Sequence, residues 1–144
     1  MPRIALPEGV SVHCAVDDFL WPWDRSTPVL MMHGFARNAT FWNRWVPAVS
    51  ESHRVYRPDL LGCGLSQQPP NGYRYTPDKV SAQILAVLEA LSLPRVHWVG
   101  GSHWTVHLPR RRCALMGLGT GVVGQLAIGS IRSTPVQSCA IRSA

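Results

Sequence analysis

The chain has 144 residues, enough for one domain with a buried core, and its 46% hydrophobic and 15% charged residues exclude a disordered chain. Its net charge of +6 does not indicate nucleic-acid binding, because residues 1–102 carry nine basic and eight acidic side chains while residues 103–144 carry five arginines and no acid. That basic segment has no aromatic residue after Trp104 on which bases could stack, so no nucleic-acid partner is expected.

The cysteines and the amino-terminal segment bear on metal binding and on the cellular compartment. No two cysteines have C-x-x-C spacing, and no His/Cys cluster has the spacing of a zinc site, so neither a metal nor a cofactor is expected. The first residues lack an apolar run of signal-peptide length. These features predict a cytoplasmic protein with reduced thiols, namely Cys14, Cys63, Cys113 and Cys139.

The first predicted elements alternate between strand and helix. Rough alternation over Val10–Phe19 predicts a strand, and the continuous apolar run Val29–Met32 predicts a strand buried on both faces, which ends at His33 and Gly34. Asn38 is expected to cap a helix that Pro47 interrupts or restarts. That helix would place five apolar side chains on one side: Phe41, Trp42, Trp45, Val46 and Val49. Trp42, Trp45 and the later Trp98 are expected in the core, with the wall of a pocket as the alternative.

The same alternation continues through residue 100. The run His53–Leu60 predicts a strand, and a turn-rich loop follows it. The stretch Thr76-Pro77-Asp78 supplies a cap, a proline at the first position and an acid in the first turn of a helix that ends at Leu93-Pro94. A further strand then runs to Gly100. These elements predict the α/β class with a mostly parallel sheet and flanking helices, and sites form where such strands end.

Three motifs in this order resemble one family. They are LMMHGF (residues 30–35), the D-x-x-G-x-G-x-S pattern in RPDLLGCGLS (residues 57–66), and VHWVGGS (residues 96–102). Residues 8–102 are similar to the amino-terminal part of an α/β-hydrolase, of the single-domain serine esterase, lactonase and C–C hydrolase type. The resemblance predicts an incomplete hydrolase domain over residues 1–102 and a tail of different origin over residues 103–144.

The resemblance also assigns roles to residues. It implies hydrolysis of a small-molecule ester, lactone or similar carbonyl compound, with Ser102 at the nucleophile position of a strand-to-helix turn. Backbone N–H groups of His103 and of Phe35 would form the oxyanion hole, which stabilises charge on the carbonyl oxygen. The remaining motif residues would have structural roles: His33, Gly34, Asp59, Gly62, Gly64 and Gly100.

The sequence departs from the family after Ser102. The family places an acid and then a histidine after the serine, but here no Asp or Glu follows Glu89, and the later histidines, His103 and His107, lie within five residues of Ser102. Trp104 stands where the G-x-S-x-G pattern has its last glycine. Because these groups are missing, the chain is expected to be inactive. The alternative is that the upstream His33 pairs with Ser102 and acts as its base.

Residues 103–144 are open to several interpretations. We expect an irregular tail, translated out of frame or from a truncated gene, in which case another reading frame after codon 102 restores a small residue and a glycine after the serine. The edge of the last strand, Val96–Val99, would then be exposed and prone to aggregation. Alternatives are a non-catalytic product and a small membrane-associated protein that uses the uncharged stretch at residues 113–131. The G-x-G-x-x-G match at residues 119–124 lacks the later acid of a dinucleotide site.

Overall fold

A computed structural model describes residues 3–100, 113–118 and 121–127 of the chain. In these residues seven strands form one sheet in the order β1-β2-β4-β3-β5-β7-β6. The strands are β1 (Arg3–Ala5), β2 (Ser11–Asp17), β3 (Val29–Met32), β4 (Val55–Pro58), β5 (Arg95–Gly100), β6 (Cys113–Leu118) and β7 (Gly121–Ala127).

The sheet is mixed, with a parallel centre. Strand β3 pairs in parallel with β4 on one side and with β5 on the other, whereas β2 and β7 flank this centre in antiparallel pairings. The predicted α/β class is confirmed, and so are the three parallel strands at the centre. Since parallel strands end at one edge of a sheet, the residues that follow β3 and β4 come together there, beside Gly100 at the end of β5.

Both faces of the central strands are buried. Along β3 the side chains alternate: Leu30 and Met32 belong to one core cluster with α2 residues, while Val29 and Met31 belong to a second cluster with Trp42. All four β3 residues are buried. The continuous apolar run is therefore explained by burial on two faces.

Two α-helices pack around the sheet, and the predicted caps are present. Helix α2 (Pro77–Ala90) begins at Thr76, whose hydroxyl accepts a hydrogen bond from the Lys79 N–H at 3.3 Å. It buries four apolar side chains, Val80, Ile84, Val87 and Leu88.

The helix predicted after Asn38 is split in two. Asn38 caps a 3₁₀ helix (Ala39–Trp42) through a 3.0 Å hydrogen bond from the Thr40 N–H, and α1 (Val46–Ser50) begins only after a break. Because the break destroys the helical spacing, Trp45 does not face the core; its side chain is 62% exposed. Burial is correctly predicted for Trp42 and Trp98 but wrong for Trp45.

The expectation of an irregular tail is wrong for residues 113–118 and 121–127. These residues form the antiparallel hairpin β6–β7, and β7 pairs with the whole of β5, from Arg95 opposite Ala127 to Gly100 opposite Val122. The exposed edge predicted at Val96–Val99 is therefore covered by a strand. Unpaired backbone N–H and C=O groups along β5 favour such an addition.

The alternative of a membrane-associated chain predicted a span within residues 113–131. Residues 113–118 and 121–127 of that stretch are strands of the sheet. Among the described residues, no helix is long and apolar enough to cross a membrane.

Candidate active site

The candidate site lies at the edge where the three parallel strands end. In the register of the sheet, Met32 at the end of β3 is paired with Gly100 at the end of β5. His33 and Gly34 follow β3, and Asp59 follows β4. Ser102 and His103 lie outside the described residues, so the structure fixes the end of the strand that leads to them and the two neighbouring loops.

Both ring nitrogens of His33 form hydrogen bonds. The imidazole is 1% exposed; its Nδ1 lies 2.8 Å from the Gly34 carbonyl oxygen, and its Nε2 lies 3.0 Å from the Leu60 N–H. Because a carbonyl only accepts and a backbone N–H only donates, the ring is the neutral tautomer with its proton on Nδ1. Burial lowers the pKa of His33 below its ordinary value of 6.5. Neither nitrogen is left to take a proton from a serine.

Asp59 joins three segments around the site. Its carboxylate accepts hydrogen bonds from the Ala39 N–H at 2.6 Å and the Leu65 N–H at 3.0 Å, and its Oδ2 lies 2.8 Å from His13 Nδ1. The Asp59 side chain is 2% exposed. A buried carboxylate needs such partners, and these satisfy it. Its geometry is that of a structural residue that ties the 3₁₀ helix, the following loop and β2 together.

The glycines of the D-x-x-G-x-G-x-S loop fit the turn around Asp59. Gly62 and Gly64 have φ values of +77° and +52°, in the left-handed region that favours glycine. A Cβ atom on Gly64 would overlap the Asp59 carboxylate, and one on Gly62 would overlap the Tyr75 hydroxyl. Ser66 closes the loop because its hydroxyl donates to the Asp59 carbonyl oxygen at 2.8 Å.

The turn after Gly34 is fixed at both ends. His33 holds its beginning, and at its far end Ala39 is held by β4: the Ala39 N–H donates to Asp59, and the Ala39 carbonyl accepts from Arg57 Nη1 at 3.0 Å. Within it, Ala36 has a φ of +55°, uncommon for a residue with a side chain. A loop clamped in a strained conformation can aim its backbone N–H groups in one direction.

A small cavity opens beside this turn. It has a volume of about 230 Å³ and is lined mainly by apolar groups from the turn, the loop after β4 and α2. The side chain of Phe35 at its rim is 74% exposed. The lining residues are Gly34, Phe35, Ala36, Leu60, Gly62, Cys63, Tyr75 and Val80.

The thiol at this cavity is not activated. Burial raises the pKa of Cys63 above its ordinary value of 9.0, and the nearby Asp59 carboxylate raises it further. The reactive form of cysteine is the thiolate, which a raised pKa disfavours. Cys63 is therefore a lining residue. No group of three or more potential metal ligands occurs in the part of the chain that the structure describes.

Sequence reasoning missed two buried polar residues that support the site, His13 and Arg57. Arg57 lies in β4 and forms a two-bond ion pair with Asp17 at 2.8 and 3.1 Å, and its Nη1 also donates to Asn43 Oδ1 at 2.6 Å. The signal was available: Arg57 lies inside a predicted strand, and a charged residue in a strand buried on both faces must have a partner. The identity of that partner, 40 residues away, depends on the strand order.

The parallel centre of the sheet, the His-Gly turn at one strand end and the Asp59 loop at the next define the class of the α/β hydrolases. The comparison with known families agrees, since the family model for the alpha/beta hydrolase fold matches residues 27–103, just over half of the chain. The chain belongs to this family.

Two curated relatives are hydrolases by name. The chain is 34% identical over 114 residues to 2-hydroxy-6-oxo-2,4-heptadienoate hydrolase from Pseudomonas putida, a match that covers 71% of the chain and 41% of the relative. It is 35% identical over 78 residues to 2-hydroxymuconate semialdehyde hydrolase from a Pseudomonas species, covering 52% of the chain and 27% of that relative. The chain thus spans less than half of the length of these relatives.

A solved structure gives the same result. The meta-cleavage product hydrolase from Pseudomonas fluorescens aligns with a TM-score of 0.56 at 25% sequence identity, over 68% of this chain and 34% of that one. These comparisons support the fold and the family over the first two thirds of the chain.

Proposed function

We propose that this chain carries the oxyanion turn and the nucleophile strand of a serine hydrolase that acts on a small ester, lactone or similar carbonyl compound. The observation that carries the proposal is the clamped turn after Gly34, next to the end of β5 in the register. Phe35 and His103 supply the backbone N–H groups, and Ser102 supplies the hydroxyl. The names of the two relatives, hydrolases of an oxo acid and of a semialdehyde, support a small carbonyl substrate.

We further propose that these 144 residues have no turnover of their own. A serine hydroxyl is a weak nucleophile until an adjacent base takes its proton. His33, which follows the β3 residue paired with Gly100, has both nitrogens engaged and a lowered pKa. No acid follows Glu89 to orient a later histidine. The turn and the strand are present, but the groups that activate Ser102 are lacking.

A chimera tests the positive half of this proposal. Residues 1–102 of this chain are joined to the part of the Pseudomonas putida relative that follows the position aligned with Ser102. If residues 1–102 supply a working oxyanion turn and nucleophile, the chimera hydrolyses 2-hydroxy-6-oxo-2,4-heptadienoate, and Ser102→Ala abolishes turnover. Loss of a triad member in well-studied serine hydrolases lowers the rate by about 10⁴-fold to 10⁶-fold.

The matched controls are the relative itself and the unmodified chain, for which no turnover is expected. Circular dichroism establishes that the chimera is folded. A folded chimera without activity, or one whose activity survives Ser102→Ala, would contradict the assignment of residues 1–102 to a catalytic half-site.

A further inference from the structure

A second cavity lies away from the candidate active site and has no part in the chemistry described above. Its volume is about 410 Å³, within the usual range of small-molecule pockets. It is lined by Leu6, Pro7 and Val10 near the start of the chain, by the turn at residues 70–73, by one side of α2, and by Leu61. It shares no lining residue with the cavity beside Phe35.

The lining of this cavity is mainly apolar, and its polar side chains are those of Asn71, Tyr73, Lys79 and Gln83. Lys79 contributes an ammonium group, which is held 4.6 Å from the centre of the Tyr73 ring. Gln83 also lines the cavity, and its Oε1 accepts a hydrogen bond from the Leu61 N–H at 3.0 Å. Because that bond engages the oxygen, the Gln83 side chain has its NH₂ group left for a ligand.

Lys79 carries the only charge among the described residues that line the cavity. Among the described residues that line the cavity there is no Asp or Glu; Asp78, which precedes Lys79, is not part of the lining. The cavity thus combines an apolar body with N–H donors and one positive charge. Such a site is complementary to a molecule with an apolar tail and an anionic head, and it disfavours a cation.

We propose that this cavity binds a carboxylate with an apolar chain of medium length, with the carboxylate at Lys79 and the chain along the α2 wall. The proposal goes beyond the proposed hydrolase function, since it requires neither Ser102 nor the oxyanion turn. The ion pair would be partly exposed, so it contributes to specificity more than to total affinity.

The test is calorimetric titration of the whole chain with octanoate and, separately, with 1-octanol, the uncharged analogue of the same length. We expect one saturable site with a dissociation constant in about the millimolar range. Octanoate should bind about threefold to fivefold more tightly than 1-octanol at low salt. High salt should reduce that ratio, because the pair is partly exposed.

Three variants separate the expected site from unspecific binding. Lys79→Met keeps the apolar stem and should make octanoate and 1-octanol bind equally. Ala82→Phe, at an exposed position of α2 that lines the cavity, should fill it and weaken both ligands by about tenfold or more. Arg74→Met removes an exposed cation that does not line the cavity and should change neither affinity.

Several results would overturn the proposal: no saturable binding, equal affinities for octanoate and 1-octanol in the unmodified chain, or binding that Ala82→Phe leaves intact. Circular dichroism of each variant identifies a loss of fold. Because Ser102 is intact in every variant, failure here leaves the proposed hydrolase half-site standing, and failure of the chimera leaves this cavity standing.

Discussion

Asp59→Ala is expected to lower the free energy of unfolding by about 3–5 kcal/mol. The substitution removes the acceptor for the buried Ala39 N–H and for the part-buried Leu65 N–H, and it removes the partner of His13 Nδ1. Each buried donor left without an acceptor costs about 1–3 kcal/mol. Since domains of this size are stable by only about 5–15 kcal/mol, a large part of the stability would be lost.

Urea denaturation followed by tryptophan fluorescence measures this change. Asp78→Ala is the matched control, because Asp78 is an exposed acid in the first turn of α2 and should cost less than about 1 kcal/mol. Asp59→Asn keeps one oxygen acceptor and should give an intermediate loss if Asp59→Ala does not fold. Equal stabilities of the Asp59→Ala and Asp78→Ala variants would show that the Asp59 network does not hold the loops.

Gly64→Ala is expected to cost about 3 kcal/mol or more. Alanine in the left-handed region costs about 1–2 kcal/mol by itself. At Gly64, with a φ of +52°, the added Cβ would also overlap the Asp59 carboxylate, so the variant must displace the group that holds Ala39 and Leu65. The backbone cost and the displacement of Asp59 therefore add.

Gly72→Ala separates these two contributions. Gly72 has a φ of +79°, but nothing lies within 4 Å of the position of its Cβ. It should cost only about 1–2 kcal/mol, the conformational part. Denaturation of both variants under the same conditions measures the difference between them. If Gly64→Ala were no more costly than Gly72→Ala, the close approach of Gly64 to Asp59 would have no energetic consequence.

The elements whose signals are local were predictable from the sequence. The cap and proline at Thr76 and Pro77 place the start of α2, and the apolar run Val29–Met32 identifies a strand buried on both faces. The His-Gly turn and the Asp59 loop follow these strands in the sequence, and parallel pairing brings them to one edge. Local capping and burial therefore sufficed for the central part of the fold.

The features that the sequence did not reveal depend on contacts between residues that are far apart in the chain. The partner of Arg57 is fixed only once β2 is placed beside β4, and the same holds for the contact between His13 and Asp59. The β6–β7 hairpin was missed because its glycine-rich, uncharged sequence has no clear alternation. Trp45 was misplaced because the helix breaks at residues 43–45 and restarts with Pro47 in its first turn, which changes the face on which Trp45 lies.

The reactivity of Ser102 tests the central claim most directly. The unmodified chain is incubated with a fluorophosphonate probe, with the Ser102→Ala variant as the control and the Pseudomonas putida relative as the positive reference, and labelled protein is quantified by mass spectrometry. Because no base is available to activate the hydroxyl, we expect no labelling at Ser102 above that of the variant. Stoichiometric labelling at Ser102 would contradict the account and would show that another group acts as the base. His33 would then be the first residue to substitute.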